Sequence, residues 1–355
     1  MTKTKKFLAL ALTLTMAASL LLTGCGKKAD TSASTSGSAS GSASTSAEAP
    51  TGPVIGITWS SLDAENPDVV AKYEGFSAVI KAAGGTAVRL DQVTSNAVKY
   101  DDNGKILDDY IDETGMLKQE YADEIKARKY DETNVASVME GIDGVFFIGG
   151  EDISPSLFKV PVPVANKGEE INSTRDISDY TLMAYCIDKD IPTFAACRGE
   201  QMMSIVSGCT FIQDLTDYHA ANGISDYAET AETHRMAPGM ENRTYARHDV
   251  DILDGSKWIG DIVGSNKLEK VSSWHHQAVE SLEGTDLTMV ASTKFSGLEI
   301  VEGVENQNKT FCLGLQFHPE NDCVQVLYKN NPDGALCDFD TCLNVFKTLV
   351  KYAGQ

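Results

Sequence analysis

Apolar and polar positions change character twice along the chain. Lys3, Lys5 and Lys6 precede an apolar run from Phe7 to Leu22, broken only by threonines and a serine. From Ala29 to Thr51 the residues are almost entirely Ser, Ala, Thr and Gly. Such a stretch has nothing to bury, cannot offset its ordering entropy and reads as a flexible tether. From Pro53 onward, short apolar runs alternate with helix-period stretches, the rhythm of a parallel βαβ chain.

The run Val54 to Trp59 predicts a strand, Val69 to Ala83 a helix stopped by Gly84-Gly85, and Thr86 to Leu90 a second strand. Residues 91–131 break the rhythm. They are rich in Asp, Glu, Lys and Tyr and predict a charged, solvated and partly mobile insertion, with some helix from Leu117 to Arg128. The alternation resumes with a helix over Asn134–Glu140, the strand Gly144–Ile148 ending in Gly149-Gly150, a helix over Arg175–Asp190 and the strand Pro192–Ala196. Apolar strands flanked by helices belong inside parallel sheets covered on both faces. The back half reads as more β-rich, with runs at His248–Ile252, Lys270–Trp274, Leu287–Ala291 and Thr310–Phe317, and an amphipathic helix, Thr341–Tyr352, closes the chain. The expected fold is therefore α/β. No internal repeat appears.

The first segment changes the picture of where such a domain works. A charged start, a short apolar stretch and small residues form a secretory signal. Here Leu22-Thr23-Gly24 stand directly before Cys25, a pattern that resembles a bacterial lipobox. The resemblance implies cleavage before Cys25, its lipidation with palmitate-type chains, and a protein anchored to the cell membrane and facing outside the cytoplasm. The expected domains are a signal over residues 1–25, a tether over 26–52 and one folded unit over 53–355. That unit, about 300 residues, is within the range of an α/β domain with insertions. No apolar run after Pro53 is long enough to span a bilayer.

The formal charge is −21, and residues 1–50 hold five lysines against only Asp30 and Glu48, so the folded part is more acidic still. Such a surface repels phosphate backbones and argues against a nucleic-acid partner. Of the eight cysteines, Cys186, Cys209 and Cys312 lie in apolar runs and read as buried free thiols. Cys323 with Cys337 or Cys342 is a conceivable disulfide in an exported chain, with the pairing open. The cysteine spacing does not look like a zinc site; no metal and no cofactor are expected.

Candidate chemistry centres on Ala195-Ala196-Cys197-Arg198-Gly199, which follows an apolar strand and precedes a helix over about Glu200 to Val206. A sharp strand-to-helix turn pushes its central side chain out at the carboxyl edge of the sheet and needs small neighbours. The helix end beside the sulfur favours thiolate over thiol. Gln316-Phe317-His318-Pro319-Glu320 ends another apolar strand, offering a base and, two residues on, a carboxylate to orient it. Gly149-Gly150-Glu151-Asp152 supplies a backbone able to approach closely and donate to an oxyanion.

These three segments together resemble the class I glutamine amidotransferase-like superfamily, and within it the γ-glutamyl-γ-aminobutyrate hydrolase branch, the peptidase C26 family. Further matches are Arg175-Asp176, Ser207-Gly208-Cys209-Thr210, Gln213-Asp214-Leu215, His234-Arg235, Tyr245-Ala246-Arg247-His248 and Ser273-Trp274-His275-His276-Gln277-Ala278. The resemblance covers about residues 53 to 352 apart from the insertion. It implies a three-layer α/β/α, flavodoxin-like fold with a central, mostly parallel sheet. It further implies that Cys197 attacks a γ-glutamyl amide and forms a thioester, with His318 as base and acid and Glu320 orienting it. By the same resemblance, the backbone amides of Gly150 and Arg198 are expected to form the oxyanion hole, and Gln201, His275 and His276 to border the substrate. A surface enzyme of this kind meets γ-glutamyl peptides, folate polyglutamates or the γ-D-glutamyl links of cell-wall peptides.

Departures from the family pattern also carry expectations. Glu200 replaces an apolar residue and is expected to place a carboxylate near the nucleophile. Cys209 stands where glycine is usual, the segment after Glu320 is longer and cysteine-bearing, and Phe295–Glu299 leaves Glu299 and Glu302 as alternatives for one position. An alternative reading is a catalytically idle surface lipoprotein that binds γ-glutamyl or amino-acid-like ligands.

Overall fold

A computed structural model describes residues 52–164 and 170–355. The signal over residues 1–25 with Cys25, and all but the last residue of the tether, lie outside the described residues. The strands are β1 (Val54–Ile57), β2 (Thr86–Arg89), β3 (Gly144–Phe147), β4 (Thr193–Ala196), β5 (Thr210–Ile212), β6 (Ala246–Ile252), β7 (Lys267–Ser273), β8 (Ala278–Ser281), β9 (Thr288–Phe295), β10 (Leu298–Glu305) and β11 (Cys312–Leu315). The helices are α1 (Pro67–Ala82), α2 (Gln119–Lys126), α3 (Val135–Val138), α4 (Ser173–Lys189), α5 (Arg198–Ser207), α6 (Leu215–Ala221), α7 (Ile259–Val263), α8 (Pro319–Leu327) and α9 (Phe339–Ala353). Among the described residues, no helix is long and apolar enough to cross a membrane.

The main sheet runs β2-β1-β3-β4-β11-β10-β9-β6-β7. Its first five strands are mutually parallel, and the remaining four join antiparallel. Strand period puts alternate residues on opposite faces. Val145 and Phe147 of β3 enter the core under α4 and α5, while Phe146 and Ile148 enter the core under α1 and α9. Phe146, Phe194 and Phe346 meet there, with Phe146 and Phe194 stacked at 5.4 Å and the Phe346 ring edge-on to both. Each such side chain contributes about 1.5–3 kcal/mol of burial, which explains why these strands contain so few polar residues. The three-layer α/β/α expectation holds for this parallel part.

The 91–131 insertion departs from its expectation. Its charges face water, but Val93, Ile106, Leu117, Ala122 and Ile125 are buried in the same core as α4. Polar side chains beneath it receive its backbone. Val93 N–H donates to Ser178 Oγ (3.0 Å), Ile106 N–H to Thr174 Oγ1 (3.2 Å) and Leu117 N–H to Ser154 Oγ (3.1 Å). It is a packed cover, not a solvated excursion. Sparse apolar residues among many charges hid this, since each contributes a single anchor and no continuous stripe.

The parallel order also decides where chemistry can sit. Ligands in open α/β sheets bind beyond the carboxyl ends of the strands. Three adjacent strands, β3, β4 and β11, release their chains at that edge into Gly149-Gly150, Cys197 and His318.

Candidate active site

Cys197 sits between β4 and α5 with φ of 51° and ψ of −111°. Positive φ is costly for a side-chain-bearing residue, so the surroundings must hold it. Cys197 N–H continues the parallel ladder to Leu315 O (2.8 Å), and Gln201 N–H of α5 closes on Cys197 O (3.0 Å). Gly199 is required because a Cβ there would lie 2.7 Å from the Phe147 carbonyl oxygen. The thiol, 5% exposed, opens between two hollows. One, of about 530 Å³, is walled by Ser60, Lys72, Gly150, Tyr245, His318 and Glu320 among others. The second, of about 50 Å³, is bordered by Asp152, Gln201, Arg235, Trp274, His275 and His276 among others.

His318 follows β11 and caps α8. Its backbone N–H donates to Ser272 O (2.8 Å), and Pro319 starts the helix. Nδ1 lies 2.6 Å from Glu320 Oε1, leaving Nε2 without a strict hydrogen bond in the chain. Burial alone would lower the proton affinity of this imidazole. Tyr245, Cys197 and Glu320 outweigh it and raise its pKa well above the ordinary histidine value, Cys197 acting both as neighbouring charge and as hydrogen-bonding partner. Both side chains also press on Gly149, where a Cβ would lie 2.8 Å from His318 Cε1 and 3.5 Å from Cys197 Cβ. The sulfur and the imidazole, 121 positions apart in number, are thus neighbours. An imidazolium held beside sulfur is the arrangement in which cysteine is used as a nucleophile.

A buried ionic lattice fixes the loops around the thiol. Arg175 donates to Glu151 Oε2 (2.6 Å), to the carbonyls of Ile148 (3.2 Å) and Gly149 (3.0 Å), and to Asp179 (3.2 Å). Arg198 donates to Asp176 Oδ1 (2.6 Å) and also pairs with Asp179. Gly150 must be glycine, because a Cβ would fall 1.8 Å from Arg175 Nη1. Burial pushes Glu151 up, yet Arg175 and Arg198 hold it at about 2. Burial dominates at Asp176 and lifts it to about 6. Gly150 lies on both hollows beside Cys197. The Arg198 amide belongs to the first turn of α5, where N–H groups have no helical acceptor. Arg175-Asp176 was legible as a motif, but its role as a clamp was not, because its partners come from distant segments.

The other predicted residues divide. Gln201 is buried beside the small hollow, its amide directed to Gln316 Oε1 (3.1 Å) and Gln277 O (3.4 Å). His276 bridges Asp214 (3.2 Å) and Asp152 (3.1 Å). Burial opposes its protonation, but the two carboxylates prevail and raise its pKa. His275 borders the hollow, but its nitrogens point elsewhere, Nδ1 to Gln277 O (2.8 Å) and Nε2 toward Glu302 Oε1 (3.6 Å). The side chains of the two adjacent histidines diverge, so His275 lines the hollow while its ring nitrogens face away from those of His276. Lys72 on α1 and Tyr245 line the large hollow; Lys72 lies in no motif and escaped the sequence reading, whereas Tyr245 was legible only as the start of Tyr245-Ala246-Arg247-His248, with no role assigned, and its ring stands 5.0 Å from that of His318.

Glu200 does not turn toward the nucleophile. Its side chain runs under α5, with Oε1 3.1 Å from Ser204 Oγ and the Cγ against Gly314. Burial, with a smaller contribution from Glu302, raises it to about 8 against the lowering effect of Ser204. A raised carboxyl pKa makes stability fall as pH rises from the unfolded value of about 4.5 through about 8. Relative to the native chain, Glu200→Gln is therefore expected to gain stability progressively across that window and to plateau above it. Thermal melts at a series of pH values measure this; a difference constant with pH sinks the assignment.

The remaining thiols, Cys186, Cys209, Cys312, Cys323, Cys337 and Cys342, are buried and free. Burial lifts Cys312 to about 12. Cys323, Cys337 and Cys342 do gather, around Asp322, whose Oδ1 accepts from the Cys337 amide (3.3 Å). The hairpin β9–β10, turned by Ser296 and Gly297 at positive φ, places Glu302 inward and Glu299 beside Lys294 at the surface. Glu302 is thus the buried member of the two.

Fold and site together define a glutamine amidotransferase-like hydrolase acting on amide bonds. The profile of the peptidase C26 family matches residues 125–320, a span holding Cys197, His318 and Glu320, and the chain belongs to that family. It is similar to Protein NtpR of Enterococcus hirae, at 32% identity over 205 residues, 58% of this chain and 76% of that one. It is also similar to the gamma-glutamyl-gamma-aminobutyrate hydrolase of Escherichia coli K12, at 25% over 184 residues, 50% of this chain and 64% of that one. Among solved structures, the glutaminase domain of a Trypanosoma brucei CTPS with bound acivicin aligns at 18% identity and a TM-score of 0.46, covering 84% of this chain and 94% of that chain.

Proposed function

We propose that the chain is a cysteine amidohydrolase that cleaves γ-glutamyl amide bonds. One observation carries this reading: the Cys197 sulfur, held on a turn of unfavourable φ, shares a cavity wall with an imidazole whose other nitrogen is 2.6 Å from Glu320. The Cys197 thiolate attacks the γ-carbonyl carbon, and the backbone N–H groups of Gly150 and Arg198 receive the developing oxyanion. His318 protonates the leaving amine as the C–N bond breaks, giving a thioester. It then takes a proton from water, whose oxygen attacks the thioester and releases glutamate and free thiol. Glu320 holds the imidazole with Nε2 toward the sulfur.

Asp152, His276 and Arg235 offer both signs of charge at the small hollow. That suits the amino and carboxylate groups of a glutamyl end, and the larger hollow suits the leaving amine. The lipobox-like Leu22-Thr23-Gly24-Cys25 is what supports an enzyme that acts outside the cytoplasm, held by lipid on Cys25. The idle-binding alternative drew on a carboxylate beside the nucleophile, and Glu200 lines neither hollow.

A panel of γ-glutamyl dipeptides, γ-glutamyl-γ-aminobutyrate, folate polyglutamates and purified wall fragments, scored for released amine, tests the activity. Release from none of them defeats it. Thiol labelling at mildly acidic pH supplies a second check: Cys197 should react far ahead of the buried thiols. Incorporation of a palmitate analogue that persists in Cys25→Ser would overturn the anchor.

A further inference from the structure

Three histidines and a glutamate outside the proposed catalytic group converge on one point in the antiparallel part of the sheet. His234 precedes β6, His248 lies on β6, His275 follows β7 and Glu302 lies on β10. One atom from each falls within 4.8 Å of all the others. The Nε2 atoms of His234, His248 and His275 stand 3.3, 3.7 and 3.6 Å from Glu302 Oε1. None of these nitrogens, and neither oxygen of Glu302, has a hydrogen-bond partner, although all are buried.

The outer nitrogens decide what the inner ones are. His275 Nδ1 is 2.8 Å from the carbonyl of Gln277, and His248 Nδ1 is 3.2 Å from that of Asp249. A carbonyl only accepts, so in each ring the proton sits on Nδ1, and in the neutral ring Nε2 presents a lone pair. His234 Nδ1 is 2.8 Å from the Tyr227 hydroxyl. Lone pairs of imidazole nitrogens therefore point at the lone pairs of a carboxylate, an arrangement that repels itself in a buried place. A cation at the common point satisfies the three nitrogens and Glu302 Oε1 at once.

We propose that His234, His248, His275 and Glu302 bind one divalent transition-metal cation of the zinc type. Tetrahedral zinc with Zn–N of about 2.0–2.1 Å separates its ligand atoms by about 3.3–3.4 Å, close to the nitrogen–oxygen distances here. Three imidazoles and one carboxylate suit zinc and its first-row neighbours, not magnesium or calcium, which prefer all-oxygen shells. Hydrogen bonds from Nδ1 to carbonyl or hydroxyl oxygens are the usual outer support of such ligands. A hollow of about 370 Å³ bordered by His234 and His248 gives a path of entry. Four protein ligands leave no position for water or substrate, so the cation is structural.

Its consequence reaches the thiol through one loop. His275 sits between Trp274, whose carbonyl is 3.7 Å from Cys197 Sγ, and His276 and Gln277, which border the small hollow. The cation ties this loop to β6 and β10. The sequence reading assigned no metal, because four ligands spread over residues 234 to 302 make no local spacing motif.

The test uses the full chain purified without a polyhistidine tag or chelating resin. Elemental analysis should find stoichiometric zinc, and a chelator should lower the melting temperature, with added Zn2+ restoring it. Cobalt exchanged into the chelated protein should give the intense visible bands of tetrahedral Co2+. Glu302→Gln, nearly isosteric, should lose metal and bands while retaining its far-UV circular dichroism. Where that variant does not fold, His248→Gln at the edge of the cluster is expected to bind Co2+ at least tenfold more weakly. The idea is overturned by native protein that holds no metal, melts unchanged with Zn2+ and shows no cobalt bands, or by variants that bind Co2+ as the native chain does. Since these readouts need no substrate, their failure is distinct from failure of the hydrolase reading.

Discussion

Replacing Cys197 with alanine is expected to lower kcat on a γ-glutamyl amide by on the order of 10^5-fold or more, with KM nearly unchanged. Removing one member of a catalytic group that acts as a unit costs about as much as removing all of it, roughly 10^6 in the best-studied hydrolase. Oxyanion donors and substrate contacts remain, so the residual rate exceeds that of water alone. The other thiols among the described residues, Cys186, Cys209, Cys312, Cys323, Cys337 and Cys342, are all buried and cannot substitute. A similar loss, about 10^4-fold, is expected for Glu320→Gln, which leaves the imidazole in place but changes the preferred tautomer. Steady-state kinetics with active-site titration measures both. An alanine variant within tenfold of the native rate removes Cys197 from the chemistry.

The second large effect falls on stability. Arg198→Ala is expected to destabilise the fold by about 3–5 kcal/mol, because it leaves buried carboxylates without a partner. Arg198 is fully buried, Asp176 accepts from it at 2.6 Å, and Asp179 pairs with it as well as with Arg175. Direction with pH follows from Asp176, lifted by burial to about 6 from the ordinary 3.8. A raised acid contributes stability that is complete below the unfolded pKa and lost as pH rises through the folded value. The deficit of Arg198→Ala should therefore be greatest at neutral pH and shrink as pH falls through about 6, where Asp176 accepts a proton. Urea unfolding at several pH values reads this out. A loss under about 1 kcal/mol at pH 7 would show that the lattice contributes little.

Much of this was visible in the sequence where local rules suffice. β3 and β4 are short, largely apolar and followed by glycine or a helix start, so their place in a parallel core followed from pattern alone. Cys197 and His318 stood out because each ends such a strand. What escaped depended on partners far away in sequence. Strand β10 carries Glu302 and Glu305 among its apolar residues, and both face inward. Glu305 is satisfied by the amide groups of Lys257, Trp258 and Ile259, at 2.6 to 2.9 Å. No period-2 rule anticipates acids on a core face whose partners lie some 45 residues away. Helix α8 was missed for a different reason: Pro319 and two acids open it, which reads as a turn until the cap at His318 is seen. Glu200 was located correctly along the chain and wrongly in direction, since side-chain aim depends on packing that pattern does not encode.

The φ of 51° at Cys197 sets stability and reactivity against each other at a single position. Glycine there would relax the backbone and yield a sturdier but inert chain. Selection for robustness alone would thus erase the thiol, and a library screened only for heat tolerance should recover Cys197→Gly among its winners.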